Sequence, residues 1–113
     1  MHIITDTFSF DDLKTMAANR FGDMVKAVVD IDRELLAVDA ELHADLEAFL
    51  LQNGSDQRGL WGINLYPEVS GDEWIEFDSM INVRPSQGNR SRGVENAEIR
   101  NTIVRIVNRR IAR

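Results

Sequence analysis

LWGINLYPEVSGDEWIEFDSMINVR, residues 60–84, is the stretch whose reading decides the fold. It holds two apolar-rich runs, 60–66 and 74–84, separated by PEVSGDE. Pro67 and Gly71 mark that separator as a loop, so the two runs form an antiparallel hairpin. The second run alternates with a period of two. Ile75, Phe77, Ile81 and Val83 share one side, and Trp74, Glu76, Asp78, Met80, Asn82 and Arg84 share the other. This predicts one continuous strand over 74–84, with Phe77 and Ile81 buried and Glu76 and Asp78 on the opposite face. The first run has Trp61, Ile63 and Leu65 on its apolar side. A one-residue slip would separate the two apolar faces. The register that joins them and closes the loop sets Asn64 opposite Glu76 and Gly62 opposite Asp78, leaving room above the glycine.

Moving outward, HIIT (2–5) reads as a short strand. A helix follows, announced by Ser9 as N-cap, Asp12 three residues on, and Phe8 with Leu13 as a hydrophobic staple. Phe10, Leu13, Ala17 and Phe21 make its apolar stripe, and Gly22 stops it. MVKAVVDI (24–31) reads as a buried strand. Residues 32–34 turn, and LLAV (35–38) returns as its hairpin partner. ELHADLEAFLL (41–51) fits either period, alternating like a strand while placing Leu42, Leu46, Phe49 and Leu50 at helical spacing. Its strong helix formers, and Asn53–Gly54 behind it, favour a helix. A last helix starts at the N-cap Asn96 and runs to about Ile111 on a stripe of Ile99, Ile103, Ile106 and Val107. The expectation is an α+β fold, a small antiparallel β-sheet packed with about three helices as a single pair of layers. At 113 residues the chain is expected to be one domain.

Charge is segregated along the chain. Residues 1–83 hold 17 of the 19 acids and 5 of the 13 bases, whereas residues 84–113 hold 2 acids and 8 arginines. The overall net charge of −6 disfavours nucleic acid as a partner, because phosphate backbones reward cation placement. The absence of cysteine excludes disulfides, thiol nucleophiles and cysteine metal sites. No apolar run approaches the roughly 18 residues that span a bilayer. MHIITDTFSF lacks the basic and long apolar regions of a secretory signal. The expected setting is cytoplasmic, with no membrane partner.

Three constellations could carry chemistry. RPSQGNRSRG (84–93) concentrates arginines where acids are missing, has glycines at 88 and 93, and runs into a helix N-terminus. Planar guanidinium groups and free helix N–H groups suit phosphate or carboxylate. Arg84, Arg90 and Arg92 are its candidate charge carriers, with Ser86, Asn89 and Ser91 to orient a ligand. The competing reading pairs these arginines with the acidic body, or with Glu95 and Glu98. No Walker or dinucleotide-binding glycine pattern is present. The second constellation is the polar hairpin face. Glu76 and Asp78, joined by Asn64, Asn82 and Arg84, could serve acid–base chemistry or hold a divalent metal. A half-exposed sheet shows such a face for solubility alone. The third is His43 with carboxylate neighbours in either secondary structure, a further catalytic candidate and a weak metal signal. The C-terminal Arg105, Arg109, Arg110 and Arg113 read best as complements to the helix dipole and the acidic body.

WGINLYP (61–67) followed by WIEFDSMINVRPSQGNRSRGVE (74–95) resembles the signature of a small family of prokaryotic proteins known only as a domain of unknown function. FGDMVKAVVDI (21–31) and ELHAD (41–45) are similar too, so the resemblance covers nearly the whole chain. It implies a prokaryotic, single-domain context and no particular catalytic residue. In that family a Gly-Gly pair stands where this chain has Asp39–Ala40, so the turn before Glu41 is expected to differ here.

Three functional expectations follow. The leading one is a small binding domain for an anionic ligand, such as a nucleotide or another phosphate-bearing molecule, held by the arginine loop. The second is a metal-assisted phosphoester hydrolase using Glu76 and Asp78 with a divalent cation. The third is an interaction subunit whose basic C-terminal strip meets an acidic partner or a second copy of the chain.

Overall fold

A computed structural model describes residues 1–113. The chain runs β1 (His2–Ile4), β2 (Phe8–Ser9), α1 (Phe10–Arg20), β3 (Val25–Asp30), β4 (Leu35–Val38), α2 (His43–Gln52), β5 (Leu60–Leu65), β6 (Ile75–Glu76), α3 (Ala97–Arg110) and β7 (Ile111–Ala112). Single 3-10 turns occupy 57–59, 72–74, 80–82 and 85–87. The main sheet has the order β1-β4-β3-β5-β6 and is antiparallel at every pairing. β2 and β7 form a separate parallel pair that ties the entry of α1 to the exit of α3.

Local chemistry explains most of these boundaries. The Ser9 side chain accepts the Asp12 N–H, and Gly22 donates back to Ala17, so α1 is capped at both ends. Asn96 caps α3 by accepting from the Glu98 and Ile99 N–H groups. The β3–β4 turn is organised by buried Asp30, whose Oδ1 accepts the N–H groups of Asp32 and Arg33 while Oδ2 accepts from the Ser55 hydroxyl. Residues 43–52 are helical because that period delivers His43, Leu46 and Leu50 to one buried face. Asn53 closes the helix by donating its N–H to Leu50.

Side chains alternate along each strand, and β3, β4 and β5 present apolar residues to both faces of the sheet. Ala27, Val29, Leu36, Val38, Trp61, Ile63 and Leu65 pack under α1 and α3, with Leu13, Ala17, Ile103, Ile106 and Val107. Val28, Leu35, Ala37 and Leu60 pack under α2, with Leu46 and Leu50. The α+β fold of an antiparallel sheet with three helices thus holds, and the helices cover both faces, adding a third layer to the expected pair.

The predicted register is present, with Asn64 opposite Glu76 and Leu65 opposite Ile75. The predicted continuous strand over 74–84 is not. Pairing stops after Glu76, and the chain climbs over the sheet instead of running along its edge. Gly62 is the reason. A Cβ there would lie 2.6 Å from the Ser79 Cβ and Oγ, so Ser79 occupies the space that a side chain at 62 would fill. The alternation therefore breaks. Trp74, expected beside Glu76, sits in a 3-10 turn and is buried against the α1 side, edge-on to Phe10. Ile81 packs on the α2 side, whereas Phe77 packs on the other.

Phe77 and Ile81 are only half-buried, not fully buried as the alternation predicted. Phe77→Ala is accordingly expected to cost about 1–3 kcal/mol in urea unfolding, below the roughly 3–5 of a fully enclosed phenylalanine. A loss at the upper figure would mean that Phe77 is enclosed in solution.

The turn before α2 also has a specific backbone. Asp39 adopts φ +74°, a left-handed conformation that glycine takes more readily. Arg20 holds it there, donating Nε to Asp39 Oδ1 at 2.8 Å and Nη2 to the Asp39 carbonyl at 3.3 Å.

Candidate functional site

The arginine loop is largely self-satisfied. Arg84 is buried, and its guanidinium donates to the carbonyls of Ile81, Gln57, Arg58 and Leu60 while stacking 4.6 Å from the Trp61 ring. Burial lowers its pKa, with Glu47 opposing that shift. Asn89 is buried as well, donating to the carbonyls of Asn82, Ser91 and Gly93 and accepting the Glu95 N–H. Gly88, at φ +79°, lets the chain reverse so that Arg84 and Asn89 form a two-residue bridge. The backbone N–H groups of Arg90 and Ser91 already hold an anion, the Glu95 carboxylate, at 2.6 and 2.8 Å. Those two bonds hold the Glu95 carboxyl below its ordinary value. The Asn96 side chain takes up the first N–H groups of α3. Ser86 and Arg90 remain exposed at the loop surface.

A different concavity gathers the chemistry. A cleft of about 410 Å³ lies between the start of α2, the β3–β5–β6 sheet surface and the 78–81 turn. Its polar lining includes Lys26, His43, Asn64, Tyr66, Glu76, Asp78 and Arg92, and Leu42, Met80 and Ile81 are among its apolar groups. All three catalytic candidates, His43, Glu76 and Asp78, line it. Of the ligand-binding candidates, Asn64 and Arg92 line it, whereas Arg84, Ser86, Asn89, Arg90, Ser91 and Asn82 do not. Asn82 supports the site from behind, pairing its side-chain amide with the N–H and carbonyl of Gly62.

The floor is a row across three strands. Lys26 pairs with Asn64 and Asn64 with Glu76, so all three point to the same face. Asn64 Nδ2 donates to Glu76 Oε1 at 2.9 Å and to the Asp78 carbonyl at 3.2 Å, and the Tyr66 hydroxyl donates to the same Glu76 oxygen at 3.2 Å. Burial and the Glu76 charge raise the Tyr66 pKa. Arg92 Nε bridges to Asp78 Oδ1 at 2.6 Å. Lys26 has no carboxylate within ion-pair distance, and its Nζ lies 5.7 Å from the centre of the Phe21 ring.

His43 donates Nε2 to the Ile63 carbonyl at 2.8 Å, which can only accept, so Nδ1 is the acceptor nitrogen of a neutral ring. Burial is the main cause of its lowered pKa, and the Lys26 and Arg92 charges act in the same direction. The folded protein therefore favours neutral imidazole, while the unfolded chain takes up a proton near the ordinary 6.5. Stability should be complete above that pH and fall as the pH drops towards the folded value. Glu34, Asp39 and Glu95, all lowered by hydrogen bonds, lose their contributions only at more acidic pH, below ordinary values of 4.5, 3.8 and 4.5. The expected result is a decline in chemical-denaturation stability beginning near pH 6.5, which His43→Gln abolishes. An unchanged slope in that variant would place the pH dependence elsewhere.

No three His, Asp or Glu side chains come together in a geometry that could hold a metal ion. Glu76 and Asp78, the metal candidates, are instead engaged with Asn64, Tyr66 and Arg92. The C-terminal arginines are also occupied. Arg105 and Arg109 both reach Glu34, Arg110 bonds the Glu34 and Asp6 carbonyls, and Arg113 lies over the Phe10 and Trp74 rings.

Sequence reasoning missed Lys26, Leu42 and the role of Tyr66 in the cleft. The available signal was a lone charge, Lys26, in the otherwise apolar 24–29 run. Its partner Asn64 lies 38 positions away, so only the β3–β5 pairing brings them together.

No helix is long and apolar enough to cross a membrane. No curated protein and no solved structure matches the chain. A family model described as a protein of unknown function, DUF5674, matches residues 2–110, so the chain belongs to that family.

Proposed function

We propose that this chain is a small binding domain that takes an anion-bearing, low-molecular-weight ligand in the cleft above the Lys26–Asn64–Glu76 row. The observation that carries the reading is Lys26, a cation lining a concave site with no carboxylate partner. Arg92, at the same cleft, is the second cation. Its exposed pair with Asp78 is worth about 0–1 kcal/mol, so a ligand can exchange with it at little cost. Leu42 and Met80, both exposed, supply apolar surface for the rest of the molecule. The anion-binding expectation is thereby kept and moved from the arginine loop, where Glu95 is the resident anion, to the cleft.

A second reading has its own support. His43, with an acceptor nitrogen, and Glu76 line the same cleft, a pairing suited to acid–base chemistry on a bound ligand. Metal-assisted hydrolysis has less behind it, because the carboxylates are already bonded and no third ligand joins them.

Titration calorimetry at low salt with inorganic phosphate, a nucleoside monophosphate and short carboxylates tests the proposal. Saturable binding by one of these, weakened about tenfold or more by Lys26→Met, is expected for loss of a charged hydrogen bond. Arg90→Ala with Arg92→Ala should stay folded and weaken the same binding through Arg92. No saturable binding to any small anion, zwitterionic ones included, would overturn it.

A further inference from the structure

One end of the cleft floor is rich in acceptors. Asn64 is 6 % exposed, and with Nδ2 turned to Glu76 and Asp78, its Oδ1 is left buried without a hydrogen-bond partner in the protein. Buried carbonyl oxygens are almost always bonded, so this one marks a place where a donor belongs. Glu76 concentrates its two contacts on Oε1, leaving its other oxygen as a further acceptor. His43 Nδ1 can only accept in the neutral ring that donates to Ile63. Lys26, the neighbour of Asn64 on β3, supplies the opposite character. One end of the row thus calls for a donor and the other for an anion.

We infer that the ligand of this cleft is a short zwitterion, a primary amine linked to a phosphate or carboxylate, with the ammonium on Asn64 and Glu76 and the anion on Lys26. This rests on the proposed binding function and adds the amine. An ammonium fits because it has three donors and no acceptor, matching the acceptor set in number and Glu76 in charge. An amine-free phosphate ester would leave Asn64 Oδ1 unbonded and bring a second anion towards Glu76. The length is bounded too. Three neighbouring strands span roughly 10 Å, so amine and anion should be only a few bonds apart.

The test compares matched probes on the full chain by calorimetry. 2-Aminoethyl phosphate is set against ethyl phosphate, and 4-aminobutyrate against butyrate. The aminated member of at least one pair should bind about tenfold or more tightly. The phosphate and carboxylate arms identify the anion. Glu76→Gln keeps the side-chain shape and should erase the preference for the amine, so that the aminated and amine-free probes bind alike. Lys26→Met should weaken both members of the pair. Asn64→Ala should also erase the preference. Because Asn64 bonds two neighbours, its melting temperature is checked first, and Glu76→Gln decides if it is unfolded. Equal binding of aminated and amine-free probes would overturn the inference and leave the binding function standing. Binding that appears only with Mg²⁺ or Mn²⁺ would make the floor a cation site and overturn it as well. No binding by any probe, including inorganic phosphate, would remove both.

Discussion

Arg84→Ala is expected to destabilise the protein by about 3–5 kcal/mol, read as a shift in the urea midpoint at unchanged slope. The side chain is nearly enclosed, at 9 % exposure, and its Nε and Nη1 reach the Ile81 and Gln57 carbonyls at 2.9 Å each. It also bonds Leu60 at the start of β5 and the Arg58 carbonyl. It therefore fastens the 57–60 segment to the 81–84 segment. Truncation leaves several carbonyls short of donors, opens a void over Trp61 and removes a cation–π contact worth about 0.5–2 kcal/mol. Arg84→Lys should recover less than half of the loss, because one ammonium cannot reproduce a planar fork aimed at separate acceptors. A stable Arg84→Ala protein that had lost anion affinity would return Arg84 to the ligand-binding role that the sequence suggested.

Asn82→Ala is expected to cost a similar amount, about 3–5 kcal/mol, although it removes only a small polar group. Asn82 is fully buried. Its Oδ1 accepts the Gly62 N–H at 2.8 Å, and its Nδ2 donates to the Gly62 and Arg92 carbonyls, each at 2.9 Å. It stands in for the missing strand partner of Gly62. Without it, the Gly62 N–H and carbonyl lose their bonds inside the protein, each at about 1–3 kcal/mol before relaxation, while the Arg92 carbonyl keeps the Ser79 N–H. Asn82→Asp should not rescue, since it keeps the acceptor, loses the donor and buries a charge. Hydrogen exchange provides the specific readout, because the Gly62 amide should lose protection earlier than the Val28 and Val29 amides of neighbouring β3. A Gly62 amide that stayed protected in Asn82→Ala would show that another group closes that edge.

These two residues also show where reading the sequence stops. Asn82 and Arg84 fall on the polar side of an unbroken alternation, and alternation is all that a single strand displays. Their role depends on Gly62, which lies 20 positions before Asn82 and whose missing side chain admits Ser79. In the same way, Arg90 and Arg92 beside a helix start describe an anion site in outline. That Glu95 would fold back onto the loop N–H groups is a matter of loop closure, which composition does not encode.

Local and periodic features were determined by the sequence alone. Ser9 and Asn96 cap their helices because a side-chain oxygen one turn from free N–H groups needs nothing from the rest of the fold. The Asn64–Glu76 register follows from joining two apolar faces across a short loop. The family resemblance, spread over nearly the whole chain, was legible for the same reason, being a property of residue order. Tertiary structure alone decided the ending of the strand at Glu76, the burial of Arg84 and the place of the cleft. Lys26, His43, Asn64 and Arg92 come from four separate segments, and their convergence depends on β3 pairing with β5, on α2 packing over that pair, and on the 77–93 segment crossing Gly62. Each is a long-range contact, set by the packing of whole elements.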